Sequence, residues 1–262
     1  MNPRRTRPCC WRILPAAAVI AIVSLAGPVR GSTILRLTDL TSGEQQIIID
    51  EAPAGTLSDS DLAATADDFA AGYAGTVMHH GAVGSFDVVV AAGNSRALTG
   101  PSGGGRIDLV SLLVSGGTGE LEIELTATGF RVAPGHTSAQ LESSLGGTTD
   151  GIVIGEAYVD PGNREFGTSI GAGPLGPFQP ASHGPVSDKS LTGFARTSLD
   201  VAPNREFSIT QRFVVRHPSG TSAEATSLHA VARVHAPEPA TLAMFGAGLA
   251  SLLLWARRRR RL

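Results

Sequence analysis

Short segments in which apolar and polar residues alternate fill most of the chain between residues 32 and 236. The clearest is residues 120–126, where Leu121, Ile123 and Leu125 alternate with three glutamates. Successive side chains of a β-strand point to opposite faces, so we expect the three apolar residues in a core and the glutamates in solvent. The pattern indicates a body built from strands.

Similar runs, separated by glycine- and proline-rich breaks, predict strands at residues 33–40, 46–50, 86–91, 106–114, 120–127, 151–159, 191–200, 206–216 and 223–234. The break at 115–119, Ser-Gly-Gly-Thr-Gly, predicts a hairpin because glycine tolerates the positive φ of tight turns. Further breaks fall at 160–163, 171–184 and 217–220. Many short strands with turn signals, and no repeat of fixed period, predict an all-β fold: an antiparallel β-sandwich or a jelly-roll-like body.

One segment has a helical period instead. Leu62, Ala66, Phe69 and Tyr73 recur at intervals of three or four residues, after a Ser-Asp-Ser-Asp sequence at 58–61. Serine and aspartate are preferred at helix N-caps, so we expect one helix here.

The two ends of the chain are apolar. Residues 240–256 contain no charge, and seventeen residues form about 25 Å of helix, slightly less than the roughly 30 Å of a bilayer core. They are followed by Arg257, Arg258, Arg259, Arg260 and Arg261. Because clustered arginines stay on the cytoplasmic side, we expect a transmembrane helix with a cytoplasmic stop and the body outside. Before this helix, Pro237 and Pro239 should hold the backbone around Glu238 extended.

At the other end, an apolar segment at 13–27 follows Arg4, Arg5, Arg7 and Arg12. A basic start and a short apolar stretch predict a signal peptide, cleaved after Gly31. The chain then divides into a signal peptide at 1–31, an exported β-domain at 32–236 and a sorting tail at 237–262. Both cysteines, Cys9 and Cys10, precede residue 32, so the body is expected to have no disulfide.

Removing the ends changes the charge. The whole chain has a net charge of −2, but residues 32–236 contain eleven Lys and Arg against twenty-two Asp and Glu, a net charge of −11. Such a body repels nucleic acid, which we exclude as a partner.

Catalytic and transition-metal signals are weak. The sequence Gly-Pro-Ser-Gly-Gly at 100–104 places Ser102 in a Gly-x-Ser-x-Gly pattern, but a strand follows where that motif needs a helix. His79 and His80 are adjacent, so a strand would point them to opposite faces, whereas His229 and His235 would share a face. None of these histidines has the spacing of a metal site.

Calcium is the better inorganic candidate, because Asp59, Asp61, Asp67 and Asp68 lie within ten residues. Calcium prefers six to eight oxygen ligands, but the spacing of an EF-hand is absent and the same carboxylates suit a helix N-terminus. We therefore assign no cofactor, with a structural calcium as the open alternative.

The segment from His235 to the terminal arginines, beginning His-Ala-Pro-Glu-Pro-Ala-Thr-Leu-Ala-Met-Phe-Gly, resembles the PEP-CTERM sorting signal of Gram-negative bacteria. The resemblance implies that Pro237, Glu238 and Pro239 are recognised by an exosortase, an integral-membrane transpeptidase-like enzyme, in organisms that produce exopolysaccharide and biofilm. The same tail is also known under an ice-binding label, which describes the tail and not the body. Pieces of the body, such as Val-Gly-Ser-Phe-Asp-Val at 83–88, resemble uncharacterised PEP-CTERM proteins and imply no activity.

Together these features predict an exported, non-catalytic cell-surface or extracellular-matrix protein associated with exopolysaccharide or biofilm. Its precursor would face the periplasm from the inner membrane, as a transient or permanent anchor, with exosortase and the export machinery as partners. The alternatives are a carbohydrate- or ice-binding module and, less favoured, a secreted hydrolase. Trp11 and Trp255 both lie in the targeting ends, so the body has few exposed aromatic side chains on which a sugar ring could pack. The threonines of the body do not recur at a regular interval, as an ice-binding surface would require.

Overall fold

The computed structural model describes residues 31–52, 55, 64–70, 72–98, 103–171, 175–178, 190–200, 202, 204–218 and 224–236. These residues form strands β1 Thr33–Asp39, β2 Gln45–Ile49, β3 Thr76–Val83, β4 Phe86–Ala97, β5 Gly103–Gly116, β6 Gly119–Val132, β7 Ser138–Thr149, β8 Ile152–Asp160, β9 Ile170–Gly171, β10 Leu175–Phe178, β11 Ser190–Asp200, β12 Phe207–His217 and β13 Ala225–His235. The all-β fold class predicted from the sequence is confirmed.

The strands form two antiparallel sheets. Sheet 1 has the order β2-β1-β6-β12-β8, with β9 and β10 both pairing with β8. Sheet 2 has the order β3-β4-β5-β13-β7-β11. The sheets join where Gly103 and Gly104 of β5 pair with Val132 and Arg131 of β6.

From β5 to β13 the chain passes repeatedly from one sheet to the other. This gives the interleaved orders β5-β13-β7-β11 and β6-β12-β8-β10, the arrangement of an eight-stranded jelly roll. The hairpin β1–β2 extends sheet 1 beside β6, and the hairpin β3–β4 extends sheet 2 beside β5. The body is therefore a jelly-roll sandwich with one added hairpin on each sheet.

The core lies between the sheets. Leu121, Ile123 and Leu125 of β6 are fully buried, as their alternation predicts, and pack in one cluster with residues of sheet 2 such as Leu109 and Val114. The predicted turn at 115–119 is present, with positive φ at three of its glycines. The two strands it joins belong to opposite sheets, so this turn crosses the sandwich instead of closing a hairpin within one sheet.

The predicted helix is wrong in its described part. Residues 64–70 and 72–75 contain turns and bends but no helix, and residues 58–63 lie outside the described residues. Thr65 and Ala66 donate their backbone N–H groups to the carbonyl of Ile47 at 2.8 and 3.2 Å, instead of to carbonyls of their own turn. Ala64 packs with Ile34 and Ile49 in a second cluster. Burial of this segment against the outer side of sheet 1 overrides its helical spacing.

Four strands were not predicted: β3, β7, β9 and β10. The strand β7 contains Gly146 and Gly147 and only two large apolar residues, Leu141 and Leu145, so its alternation is weak in the sequence. The strand β10 falls inside the segment predicted as a loop at 171–184, so that prediction was also wrong. No helix among the described residues is long and apolar enough to cross a bilayer.

One polar side chain links the sheets across the core. Gln211 of β12 is fully buried. In the amide orientation that satisfies its hydrogen bonds, its oxygen accepts from the backbone N–H groups of Ala232, at 2.9 Å, and Val231, at 3.3 Å, on β13. The register between β13 and β5 shifts just before this point, between Leu228 and Ala230. The amide therefore ties sheet 1 to the irregular part of β13.

Replacing this amide tests the link. Gln211→Leu keeps the volume but removes the acceptor, and a buried donor without a partner costs roughly 1–3 kcal/mol. We expect urea unfolding of residues 32–236 to show a loss of that size. Gln45→Leu, at an exposed position of β2, is the matched control and should change stability by less than about 0.5 kcal/mol. Equal stability of Gln211→Leu and the unaltered body would contradict the role of the link.

Candidate functional site

The outer face of sheet 2 carries an unusual line of charge, here called the arginine row. It consists of Arg96 on β4, Arg106 on β5, Arg233 on β13, Glu142 on β7 and Arg196 on β11, each the register partner of the next. Neighbouring strands are about 4.8 Å apart, so the row extends roughly 19 Å across five strands. These side chains face outward because their sequence neighbours, such as Ile107 and Val234, are buried in the core.

Glu142 lies between two of the arginines. Its Oε2 accepts from Arg233 Nε at 2.6 Å, and its Oε1 accepts from Arg196 Nε at 3.1 Å. Burial alone would raise the pKa of Glu142, but the hydrogen bonds from Arg233 and Arg196 outweigh it and hold the pKa below its ordinary value. Both arginine side chains remain about half exposed, at 52%, so their outer N–H groups face solvent.

Arg106 is oriented within its own strand. Its Nε donates to both carboxylate oxygens of Asp108, at 2.7 and 2.8 Å. The row and its adjacent acid therefore combine four arginines with Glu142 and Asp108, a local surplus of positive charge. Since the body contains only eleven Lys and Arg, more than a third of its cations lie in this row.

A shallow groove runs beside the row. It has a volume of about 170 Å³ and is lined by Arg106, Glu142 and Arg233 together with Ser144, Val231 and Phe194. Phe194 is 66% exposed, so its ring is accessible to solvent. The groove thus combines guanidinium donors, a hydroxyl and an exposed aromatic ring.

The outer face of sheet 1 is different, because its charges are balanced and partly covered. Arg36, Glu124, Arg212 and Glu156 alternate in sign across β1, β6, β12 and β8. The Arg36 guanidinium carbon lies 3.9 Å from the centre of the Phe166 ring. Among the described residues, this face has no surplus of arginine for a ligand.

Glu124 corrects a prediction from the sequence. It was expected in solvent, but it is only 4% exposed and accepts from Arg36 Nε at 2.6 Å. Burial raises the pKa of Glu124, and the charge of Arg36 opposes that shift. The alternation of β6 predicted the correct face, but the carboxylate is buried where it pairs with Arg36 of the neighbouring strand.

Asp68, one of the candidate calcium ligands, uses its carboxylate on the backbone. Its Oδ1 accepts from the N–H groups of Ala70 and Met78 at 2.8 and 3.0 Å, and its Oδ2 from that of Glu51 at 3.1 Å. Asp59 and Asp61 lie outside the described residues. In the part of the chain that the structure describes, no group of three or more His, Cys, Asp or Glu side chains could hold a metal ion.

The histidines are separated as their strand positions predict. His79 is buried and His80 is exposed on the other face of β3, while His229 and His235 both lie on the outer face of sheet 2. His217 is buried, with Nδ1 2.7 Å from the Gly116 carbonyl oxygen and Nε2 3.0 Å from Thr226 Oγ1. The structure therefore does not bring the four histidines singled out in the sequence into one site. They are His79, His80, His229 and His235.

The residues expected to direct sorting lie outside the described residues: Pro237, Glu238, Pro239 and Arg257 to Arg261. So do Ser102, the predicted signal peptide up to residue 30 and the predicted membrane span. The described chain ends with β13 and Ala236, which is 1% exposed. The Pro-Glu-Pro tripeptide at 237–239 thus begins directly after a buried residue.

Comparisons with known proteins identify the tail. Residues 235–261 match the family described as the PEP-CTERM protein-sorting motif, so the chain carries this motif, as its resemblance predicted. A PEP-CTERM signal marks an exported protein that is processed by exosortase from a membrane-anchored precursor. No curated protein matches the chain.

Solved structures resemble the chain only distantly. The enzymatically active domain of tailspike protein 4 from bacteriophage CBA120 is 12% identical with a TM-score of 0.26, over 56% of this chain and 19% of that one. The K1 cleaved adhesin domain of Lys-gingipain from Porphyromonas gingivalis W83 is also 12% identical, with a TM-score of 0.27, over 60% of this chain and 96% of that one. The present chain thus spans about a fifth of the tailspike domain. These similarities are too low to support an argument about fold or function.

Asp50 offers a pH-dependent test of the region around the second cluster. Its Oδ2 accepts from the Gly75 N–H at 2.6 Å, while its Oδ1 is buried without a hydrogen-bond partner among the described residues. Burial, helped by the charges of Asp68 and Glu51, raises the pKa of Asp50 from 3.8 to about 6. The folded state therefore binds the proton more tightly than the unfolded state does.

A raised carboxyl pKa destabilises the fold as pH rises from about 4 to about 6. Asp50→Asn keeps an acceptor for Gly75 but removes this charge. We expect the stability of Asp50→Asn relative to the unaltered body to be greater at pH 7.5 than at pH 4, measured by urea unfolding. The same difference at both pH values would show that the Asp50 carboxyl is not perturbed by its site.

Proposed function

We propose that the protein is an exported, non-catalytic surface or matrix protein whose jelly-roll body holds acidic extracellular polysaccharide along the arginine row. Its signal peptide and its membrane-anchored tail direct the body to the periplasmic side. After exosortase processing, the mature protein resides at the cell surface or in the exopolysaccharide layer.

The observation that supports the polysaccharide role is the arginine row beside the exposed ring of Phe194. Guanidinium groups bind carboxylates through two parallel hydrogen bonds, which suits a chain of uronic acid units. Arg196 and Arg233 are each anchored on Glu142, yet both side chains remain 52% exposed. An exposed aromatic ring offers the flat apolar face on which sugar rings pack.

Charge distribution favours this partner over a neutral glycan. The body has a net charge of −11 and would repel a polyanion over most of its surface. The surplus of arginine on one sheet face directs an anionic chain to that face, whereas the outer face of sheet 1 pairs its arginines with glutamates. Binding is therefore expected to weaken as salt screens these charges.

A non-catalytic role is supported by how buried polar groups are used. Asp160 accepts hydrogen bonds from Arg164 and Ser169 and so orders the loop after β8. Asp39 accepts from the backbone N–H groups of Thr41 and Ser85. His217 forms hydrogen bonds with β5 and β13. These groups hold turns and strands together. None of them projects into the groove beside the arginine row.

No observation favours the ice-binding alternative. Ice recognition requires exposed, ordered rows of threonine. The aligned pairs in the described structure, Thr126 with Thr210 and Thr149 with Thr226, are buried and hydrogen-bonded to each other at 3.0 and 2.7 Å.

Polyuronate binding tests the polysaccharide role. Residues 32–236 should bind polygalacturonate more tightly than neutral dextran, measured by affinity electrophoresis or calorimetry. Removing two charge-assisted contacts with the double variant Arg196→Gln/Arg233→Gln should weaken binding about tenfold or more. Phe194→Ala should weaken it as well, because the ring that packs on sugar is lost.

The matched control is the double variant Arg131→Gln/Arg216→Gln, which removes the same two charges from exposed sites on sheet 1. It should leave polygalacturonate binding nearly unchanged, and unfolding curves should show that all variants are folded. An equal loss for Arg131→Gln/Arg216→Gln and for Arg196→Gln/Arg233→Gln would indicate a non-specific charge effect. No binding of the unaltered body to polygalacturonate would refute the polysaccharide role.

The sorting role has its own test in the native host. Glu238→Lys reverses the charge between the two prolines, so an enzyme that recognises the tripeptide should leave the tail attached. We expect a full-length C-terminal mass for this variant and loss of roughly two dozen residues for the unaltered protein. Processing of Glu238→Lys at the normal rate would count against recognition of that motif.

A further inference from the structure

The sorting motif follows a strand that is held on both sides. β13 lies between β5 and β7 in sheet 2. Val234 is paired with Gly105 on one side and Leu141 on the other, and His235 is paired with Gln140. The double pairing ends at Val234. His235, which is the last residue of the strand and the first residue of the matched motif, is paired with β7 alone.

The end of β13 is also tightly packed. Val234 is fully buried and Ala236 is 1% exposed. A Cβ atom on Gly104, whose φ is +114°, would lie 2.0 Å from the carbonyl oxygen of Val234. The start of β5 thus passes so closely over the end of β13 that only glycine fits there.

No spacer separates this strand from the motif. Ala236 is the single residue between His235 and Pro237, and a residue before proline is confined to extended conformations. Three residues extend at most about 11 Å, so Pro239 stays within that distance of Ala236. An enzyme that grips the tripeptide must therefore work directly against the end of the sandwich.

We propose that the folded sandwich occludes the N-terminal side of the sorting motif, and that the sorting enzyme acts on residues 237–239 only after the end of β13 separates from β5 and β7. Extended peptides are bound through backbone groups and alternate side chains on both sides of the recognised residues. On the N-terminal side these are the backbone groups of His235, which is paired with Gln140 of β7, and of Ala236, which is buried. The proposal rests on the sorting role stated above and adds that local opening of the fold sets the rate of tail removal.

A spacer tests the occlusion in the full-length protein in its native host. A Gly-Ser spacer of about six residues between Ala236 and Pro237 frees the motif from the strand. If local opening limits processing, pulse-labelled precursor should lose its tail roughly tenfold faster with the spacer. The control is the same spacer after Gly43, in the exposed turn between β1 and β2, which should not change the rate.

A reversible lock gives the opposite perturbation. His235→Cys and Gln140→Cys place two thiols on register partners, close enough for a disulfide in the oxidising periplasm. The disulfide should slow tail removal roughly tenfold by preventing local opening. A reductant should restore the rate, and the lock should have little effect when the spacer is present.

The outcomes separate this proposal from the sorting role. If the unaltered protein is processed and Glu238→Lys is not, but neither the spacer nor the lock changes the rate, the occlusion is refuted while sorting stands. If the unaltered protein keeps its tail, or Glu238→Lys loses it normally, the sorting role itself is wrong and the occlusion falls with it. Faster processing with the spacer and slower processing with the disulfide together support the proposal.

Discussion

The double pairing of β13 between β5 and β7 is the constraint on which the rest of the molecule depends. It places a late segment of the chain at the centre of sheet 2, where the inward residues of β13 complete the core. The backbone N–H groups of β13 also donate to the side-chain oxygen of Gln211. It also places Arg233 between Arg106 and Glu142, so that the arginine row is continuous across the sheet. The same strand leads directly into the sorting motif, which couples the stability of the sandwich to the exposure of the tail.

The two outer faces differ in how their charges are arranged, and the proposed binding surface is the face with the surplus of arginine. On sheet 1, arginines and glutamates alternate across the strands, and Phe166 covers part of the row. On sheet 2, Glu142 orients two arginines without neutralising the face, because Arg96 and Arg106 add to the same row. A carboxylate that holds guanidinium groups in place reduces the entropy that a ligand must otherwise remove, so this arrangement is suited to an extended anionic chain.

Local patterns in the sequence predicted much of the fold, and long-range pairing supplied the rest. The alternation of β6 gave its inward residues correctly, and the glycines at 116, 117 and 119 gave the turn. The strand β7 was missed because Gly146 and Gly147 interrupt its alternation, and the helix was wrong because residues 65 and 66 bond to Ile47 instead of to their own turn. The sorting tail is a linear motif and could be recognised directly. The arginine row could not, because Arg96, Arg106, Arg196 and Arg233 meet only through the register of strands distant in sequence.

The most direct measurement is native-state hydrogen exchange along β13 in the full-length protein. If β5 holds this strand to Val234 and β7 holds it to His235, the amides of these two residues should exchange much more slowly than those of the exposed turn at 40–44. The disulfide lock should slow their exchange further. Exchange of Val234 and His235 as fast as that turn would mean that the strand end is already open, and would contradict the coupling between the sandwich and its sorting motif.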